Sequence, residues 1–430
     1  MTAVLGILNK QAVAIAADSA VTVGGPENHK IFNRANKVFT LSKRHPVGIM
    51  LYNSASFMAT PWETIIKMYR NKLGETSFPT LKEYQTNFLE FLASKNYFTD
   101  EEMQRNYFAS FAVNIVDSTV ADIRKNNRLL FEQPTEENKQ NIISQIEQHL
   151  ISLKDNWQSI NKICPDFNTY TFENFKNFSK VVFDQIIENR FTQNGFTLSD
   201  QIKELIKESI YYILKSKENI SNHTGLVFAG FGEDEIFPQL IPINVSMVFD
   251  NKLRYFVDDQ NCVSISDNNS GAVMPFAQTD VIHTILRGID PDLNDTYLNN
   301  FGTLFNKYND LILNAIGGSN PLLSEQIKAI DTRKLVDEYA LMNQQILREN
   351  YIIPLINAVS QLSKEDLAEM AESLIYLTYL KRRITNAEES VGGPVDVAII
   401  SKGDGFIWIK RKHYFKPELN QFFFDNYFKI

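Results

Sequence analysis

The chain has 430 residues, a formal net charge of −8 and 44% hydrophobic residues. This acidic balance disfavours nucleic acid as a main partner, because phosphate binding requires a concentrated basic surface. No apolar run approaches the roughly 20 residues that span a bilayer, and the start of the chain lacks the basic and apolar regions of a secretory signal.

The first predicted element is a β-hairpin at the start of the chain. Two apolar runs, 2–8 and 12–19, flank the polar turn 9–11, and this pattern is typical of paired strands. Thr2 has a small side chain, which allows removal of Met1 ahead of it. The product would carry a hydroxyl and a free α-amine on one residue, and these supply a nucleophile and a base together.

Beyond the hairpin, strand-rich and helix-rich regions alternate. Strands, helices, strands, helices and closing strands in this order predict two antiparallel sheets between helical layers. Asp404-Gly405 lies between the last two apolar runs and indicates a hairpin turn there. The predicted strands lie at 37–41, 47–52, 224–230, 239–249, 253–257, 395–400 and 406–409, and the predicted helical regions at 61–69, 75–222 and 277–387.

The spacing of three residues in the first strands is informative. Asp18 lies sixteen residues after Thr2, and Lys37 follows nineteen residues later, directly before an apolar strand. Together with the run Ala16-Ala17-Asp18-Ser19, this order resembles a proteasome-type β subunit and the bacterial two-component protease subunit of the same N-terminal-nucleophile (Ntn) hydrolase family. The resemblance implies an α+β fold, a four-layer αββα Ntn sandwich of two antiparallel sheets between helical layers.

The resemblance also implies roles for these residues. Thr2 would be the nucleophile, Lys37 would lower the pKa of its amine by like-charge repulsion, and Asp18 would hold the lysine in place. Met50 falls at a specificity-pocket position of the family, and Tyr52 falls on its oxyanion glycine. A tyrosine there would crowd the groove in which an extended peptide pairs, which leaves a smaller amide open as substrate.

Two further family positions lie later in the chain. Ser270 is the hydroxyl available near the start of the third family helix, where a serine supports the nucleophile, although a second alignment puts Ala272 in its place. Glu388 keeps the carboxylate that lies close to the terminal amine in the family, while Val391 replaces the serine three residues on. Gly392-Gly393-Pro394 predicts the start of a strand.

The chain is much longer than a plain β subunit. The excess falls in the helical regions, so we expect a single Ntn-hydrolase domain over 1–430 with helical insertions at about 75–222 and 290–365. The short basic clusters 381–383 and 410–412 predict solvated ends of structural elements. Six scattered histidines show no zinc pattern, so we expect no metal, and two distant cysteines favour a reducing compartment and a cytoplasmic location. The resemblance implies a bacterial protein, and we expect no cofactor.

These observations predict a threonine-type Ntn amidohydrolase, a proteasome-like peptidase. The resemblance implies a homo-oligomeric ring acting on a peptide or other amide, served by a separate ATPase or adaptor. Two alternatives stay open. One is a catalytically silent subunit that keeps the fold as a scaffold, and the other is an acylase for a small amide.

Overall fold

The computed structural model describes residues 2–25, 28–32, 34–94, 99–132, 135–160, 162–218, 223–316, 321–385, 391–413, 415–422 and 425. Over these residues the chain is a mixed helical and antiparallel-sheet protein. None of the helices that they form has both the length and the apolar character needed to cross a membrane.

The two ends of the chain meet in one antiparallel sheet, the N-terminal sheet. Its strands are β1 (Ala3–Asn9), β2 (Val13–Ala17), β13 (Gly271–Ala277), β14 (Asp396–Ser401) and β15 (Gly405–Lys410). They lie in the order β13-β1-β2-β14-β15. The opening hairpin is therefore confirmed, and it occupies the middle of the sheet. Every residue of β1 and β2 is buried, which explains their apolar runs, since both faces of these strands are covered.

The second sheet follows the order β11-β10-β9-β6-β5, with β12 beside β10. Its strands are β5 (Val38–Thr40), β6 (Val47–Asn53), β9 (Thr224–Gly230), β10 (Gln239–Phe249), β11 (Lys252–Val257) and β12 (Val263–Ser264). Two small hairpins stand apart from both sheets: β3 (Val21–Gly25) with β4 (Asn28–Phe32), and β7 (Ser56–Phe57) with β8 (Thr60–Pro61).

Helices fill the two long intervals between the strands. The first interval holds α1 (Trp62–Leu73), α2 (Leu81–Ala93), α3 (Glu101–Asn126), α4 (Arg128–Glu132), α5 (Glu136–Ser159), α6 (Phe172–Arg190) and α7 (Asp200–Lys215). The second holds α8 (Asp280–Arg287), α9 (Pro291–Ile316), α10 (Pro321–Lys328), α11 (Thr332–Leu347), a π-helical turn (Arg348–Ile352), α12 (Ile353–Val359) and α13 (Lys364–Ile384). Several of these helices begin at a polar residue whose side chain accepts a hydrogen bond from a first-turn amide: Thr80, Asp100, Thr135, Thr171, Ser199 and Ser363.

The hydrophobic core divides into three clusters. One lies between the two sheets, one joins the outer face of the second sheet to α1–α3 and α5–α7, and one joins the outer face of the N-terminal sheet to α8, α12 and α13. Glycine lets the sheets approach: a Cβ on Gly6 would lie 2.4 Å from Cδ1 of Leu240, and one on Gly48 would lie 2.7 Å from Cδ1 of Ile400. The two sheets therefore pack face to face.

Six strands lie outside those predicted from the sequence, β3, β4, β7, β8, β12 and β13, and β13 is the longest of them. Residues 271–277 form β13, which pairs along the whole of β1, and helix begins only at Asp280. The sequence of β13 is Gly-Ala-Val-Met-Pro-Phe-Ala, in which apolar and polar residues do not alternate. The segment therefore lacks the period-two pattern that predicts a half-buried strand. The two proposed insertions coincide with helices α2–α7 and α9–α12, and their status as insertions into a single domain stays a prediction.

Candidate active site

Asp18 is the centre of a network at the end of β2. It is 1% exposed. Three backbone amides donate to its carboxylate: Ala3 to Oδ1, and Ala20 and Gly392 to Oδ2, each at 3.0 Å. These amides come from the opening strand, from the turn after β2 and from the segment before β14. Because buried polar groups must be paired, the carboxylate ties three distant parts of the sequence together at one point.

Lys37 lies directly before β5 and is also 1% exposed. Its Nζ donates to Oδ1 of Asp18 at 2.7 Å and to the carbonyl oxygen of Ala20 at 2.5 Å. Burial lowers the pKa of Lys37 below its ordinary value, and the Asp18 carboxylate acts in the opposite direction. The structure therefore brings together two of the residues predicted for the site, and the aspartate favours the charged form of the lysine.

Thr2 lies one residue before β1 and is 3% exposed. The peptide group that joins it to Ala3 is held at both polar ends. Its carbonyl oxygen accepts a hydrogen bond from the N–H of Gln278 at 3.1 Å, and its N–H, which belongs to Ala3, donates to Asp18 at 3.0 Å. The backbone of Thr2 is thus anchored one peptide group away from the Asp18–Lys37 pair.

A second buried ion pair lies beside the first. Asp396 is the first residue of β14 and pairs in register with Ala17, the neighbour of Asp18. Its carboxylate accepts from the backbone N–H of Lys412 at 2.9 Å and from Nζ of the same residue. This pair also affects the pKa of Lys37, although less than burial and Asp18 do. The Lys412 ammonium lowers the pKa of Lys37, and the Asp396 carboxylate raises it.

Met50 and Tyr52 lie on β6 with their side chains in the core between the sheets. The Tyr52 ring stacks on Phe276 with 5.7 Å between ring centroids. It also covers Gly225, where a Cβ would lie 1.9 Å from its Cζ. Burial, followed by the negative charge of Asp258, raises the pKa of Tyr52 to about 12. Both side chains are packing residues in this position, and their roles toward a substrate stay predictions.

The register of β6 decides which of its amides faces Lys37. The N–H of Leu51 donates to the carbonyl oxygen of Lys37 at 2.9 Å. N–H groups alternate in direction along a strand, so the N–H of Tyr52 faces β9, where Tyr52 pairs with Gly225. The amide of Tyr52, which falls on the family's oxyanion glycine, therefore faces away from Lys37 in this structure. The amide on the Lys37 side is that of Asn53, whose φ of 66° lies in the left-handed region that asparagine tolerates well.

The structure does not bring Ser270 to Thr2. Ser270 precedes β13, which runs antiparallel to β1 with Gly271 opposite Asn9 and Ala277 opposite Ala3. A strand pair of this length extends about 20 Å, so Ser270 lies at the far end of β1. Gln278, not Ser270, is the residue of this segment that contacts Thr2.

Glu388 falls outside the described residues, so the role expected for it stays a prediction. The segment that follows it does reach the site. Val391 is buried, the N–H of Gly392 donates to Asp18, and the carbonyl oxygen of Gly392 accepts from the N–H of Ser19 at 3.0 Å. The opening of the predicted strand at Gly392 is thus one wall of the site.

Some residues of the site were missed by reasoning from the sequence. Asp396 could have been predicted from the sequence, because it is a lone carboxylate within the apolar run Val395–Ile400 and a buried carboxylate needs a partner. Lys412 had a misleading signal, since its basic cluster predicts a solvated end, whereas its side chain is 10% exposed. Gln278 had none, because its contact with Thr2 is made by its backbone N–H and does not depend on residue type. Among the residues that the structure describes, no group of three or more His, Cys, Asp or Glu side chains is arranged to hold a metal ion.

Comparison with known proteins adds a distant likeness. No protein-family model matches the chain, and no curated protein matches it. Among solved structures, the chain aligns with an Anbu (Gly-1) mutant from Hyphomicrobium sp. strain MC1 over 99% of this chain and 94% of that chain, with 11% sequence identity and a TM-score of 0.27. This likeness is weak, so function has to be argued from the site itself.

Proposed function

We propose that this chain is a proteasome-like Ntn hydrolase that cleaves an amide bond with Thr2 as nucleophile, after removal of Met1. One observation carries the proposal. The Asp18–Lys37 pair is buried, and its carboxylate also binds the peptide group of Thr2 through the amide of Ala3. Burial of two charges costs desolvation and is often no more stable than an apolar pair. A reaction that uses the charges gives a reason for keeping them there.

The reaction begins with attack of Thr2 Oγ on the carbonyl carbon of the substrate amide. The hydroxyl proton passes to the α-amine of the same residue, directly or through a water. The Lys37 ammonium favours this step, because a nearby positive charge keeps the amine neutral and stabilises the developing alkoxide. Collapse of the tetrahedral intermediate breaks the C–N bond, and the proton moves from the amine to the leaving nitrogen. Water then hydrolyses the ester on Oγ and restores the hydroxyl.

The negative charge of the intermediate needs a donor fixed in advance. We assign this role to the N–H of Asn53, because it is the amide of β6 that shares the Lys37 side with the N–H of Leu51. Its positive φ places asparagine where a glycine would otherwise be expected. The donor is a backbone group, so its function does not depend on the side chain at that position.

The architecture supports the same proposal. Two antiparallel sheets pack face to face, and helices cover both outer faces. We therefore assign the fold to the four-layer αββα class, with the nucleophile at the N-terminal end of its first strand. A ring assembly and a separate ATPase or adaptor follow from the resemblance alone and stay predictions.

A second candidate function, hydrolysis of a small polar amide, is favoured by a cavity of about 410 Å³ beside the end of β6. Helix α3 forms one wall and the segment after Asn53 forms the other. The described residues that line it include no Asp, Glu, Lys or Arg, but they include the imidazole of His223. Most of the lining side chains carry a hydroxyl or an amide, among them Ser54, Ser56, Asn106, Ser110, Asn114 and Thr224. A cavity of this size suits a small ligand, and its lining suits one without a formal charge.

The direct test has two parts. Intact mass of the purified protein is expected to show loss of Met1. A peptide epoxyketone, which reacts with a hydroxyl and an adjacent amine, is expected to add to Thr2 and to be located there by peptide mapping. Thr2→Ser keeps both groups and should still be labelled, whereas Thr2→Ala should not. Retained Met1, or equal labelling of Thr2→Ala, would leave the silent scaffold as the better description.

A further inference from the structure

Helices α9 and α11 form an antiparallel hairpin, here called the arm. The rings of Phe301 and Tyr339 lie 4.6 Å apart between centroids. At the base of the arm, Nδ2 of Asn343 donates to Oδ1 of Asn294 at 2.9 Å, and nearer the tip Thr332 donates to Asn306 at 2.8 Å. These contacts run in opposite directions along the two helices, so their order fixes the antiparallel packing.

The arm exposes large apolar side chains to solvent. All residues of α9 and α11 are described, and none of them is buried. By contrast, α3 has the same length as α9 and buries eight residues. The exposed fraction lies between 40% and 67% for each of Leu293, Tyr297, Leu304, Tyr308, Leu311, Leu335, Tyr339, Met342 and Ile346.

These side chains form a stripe on each helix. On α9 the positions Tyr297, Leu304 and Leu311 are seven residues apart, and on α11 the steps from Leu335 to Ile346 are four, three and four. At about 100° per residue, each stripe occupies an arc of about 60°. This is the spacing of a helix seam that packs against further helices. The rings of Phe301 and Tyr339 are in contact, and a Cβ on Gly302 would lie 3.7 Å from Cγ2 of Val336. These positions mark the sides on which the two helices face each other, and both stripes lie on the same side of the arm relative to them.

We propose that two copies of this chain pair through their arms, stripe against stripe, in a four-helix bundle about a twofold axis. The exposed area fits this occupant. Nine large side chains that are about half exposed offer about 800 Å², and a stable interface buries about 800 Å² on each partner. A twofold axis also places the same surface opposite itself, so one apolar stripe satisfies both copies.

The charges of the arm favour a second copy over other occupants. Between Thr296 and Asn306, α9 carries no charged residue, and the stripes are rich in Tyr, Leu and Met. Depletion of charge with enrichment in such residues is the composition of an interface core. A membrane surface would require an excess of Lys and Arg on the polar face, whereas α9 and α11 together carry three basic residues and five acidic ones. The proposal does not depend on catalysis by Thr2.

The test is the oligomeric state of the full chain, measured by sedimentation equilibrium. We expect the wild type to have twice the chain mass or a multiple of it. Leu304→Lys with Leu311→Lys introduces charges at the stripe and should raise the dissociation constant of the pair at least about 100-fold. The matched control is Leu129→Lys with Ile236→Lys, which changes two leucine-sized side chains that are at least as exposed but lie away from the arm.

Both pairs of positions are exposed in one copy of the chain, so we expect all variants to fold. Circular dichroism and a thermal melt check this. A hydrogen-exchange measurement gives a second readout, because amides of α9 and α11 should lose protection on dilution while those of α5 keep it. A monomeric wild type would overturn the proposal. So would an assembly that the arm variant leaves intact, or one that the control variant disrupts equally.

Discussion

The backbone amide of Ala3 lies 3.0 Å from Oδ1 of Asp18, the same oxygen that binds the Lys37 ammonium. The amide belongs to the peptide group of Thr2, so the ion pair and the start of the chain share one acceptor. A change in the charge of either partner is therefore transmitted to the backbone of Thr2. We therefore expect substitutions of Asp18 and Lys37 to change both the free energy of unfolding and the labelling of Thr2.

Substitution of Asp18 should separate the two effects. Asp18→Asn leaves a buried ammonium without its carboxylate, so the free energy of unfolding should fall by about 3–5 kcal/mol. Adding Lys37→Met removes the uncompensated charge and should restore a large part of that loss. Urea unfolding measures both values. Labelling of Thr2 should be lost in the single and the double variant alike, and a double variant that is labelled at the normal rate would contradict a role for the pair in the reaction.

The second ion pair should shift the pH dependence of labelling in two directions. Lys37 must be charged to act, and burial lowers its pKa, so labelling should fall on the alkaline side below the ordinary lysine value. Asp396→Asn removes a charge that raises this pKa and should move the alkaline limb to lower pH. Lys412→Met removes a charge that lowers it and should move the limb to higher pH. Labelling rates from pH 6 to the onset of alkaline unfolding measure the shifts, and shifts of the same sign would show that the pair acts only by packing.

Tyr52 should contribute to alkaline unfolding. Its pKa is raised to about 12 in the folded chain, mainly by burial, and is about 10 in an unfolded chain. The neutral Tyr52 side chain therefore stabilises the folded chain fully below about pH 10. About 3 kcal/mol of this stabilisation is lost as the pH rises from about 10 to about 12. Tyr52→Phe should flatten this part of the stability profile. Tyr376→Phe, at a half-exposed position, is the control, and an equal effect of both substitutions would rule out the assignment to Tyr52.

Gly225 should tolerate no side chain while Tyr52 is present. A Cβ at Gly225 would lie 1.9 Å from Cζ of Tyr52, so Gly225→Ala should destabilise the fold by about 1–3 kcal/mol through overpacking. Tyr52→Ala in the same chain should abolish the additional cost of Gly225→Ala. The matched control is Gly403→Ala, where no atom lies within 4 Å of the new Cβ. Thermal unfolding of the four variants tests the pair, and additive losses at 225 and 52 would contradict the contact.

The sequence was sufficient for the parts of the fold whose signal is local. The apolar runs around Asn9–Gln11 and the Asp404-Gly405 turn predicted the first and last hairpins, because paired strands joined by short turns are encoded by neighbouring residues. The family resemblance, which rests on the spacing of Thr2, Asp18 and Lys37, implied that Asp18 holds Lys37, and the structure joins these two residues by a salt bridge. These two residues carry opposite charges in otherwise apolar surroundings, and such charges have to meet.

The placements that could not be predicted from the sequence depend on register between distant segments. Ser270 was assigned as the hydroxyl available near the expected start of the third family helix, but β13 runs antiparallel to β1 and places Ser270 at the opposite end of β1 from Thr2. Tyr52 was assigned by alignment, but the direction of its amide depends on whether Leu51 or Tyr52 pairs with Lys37. A shift of one residue reverses that direction. The place of Ser270 depends on the pairing of β13 with β1, and the direction of the Tyr52 amide depends on the pairing of β6 with β5. Neither pairing is encoded in the residues next to Ser270 or Tyr52.

The position of the first hairpin in its sheet has a consequence for synthesis of the chain. β1 and β2 are apolar on both faces, and their outer neighbours are β13 and β14, which begin at Gly271 and Asp396. At about 5–20 residues per second, a ribosome needs about 20–80 s to reach the second of these strands. If the hairpin forms before β14 is made, the outer edge of β2 has no partner strand during that time. Unpaired strand edges are prone to aggregate. A holding chaperone that binds the nascent amino terminus would protect it until the last strands emerge.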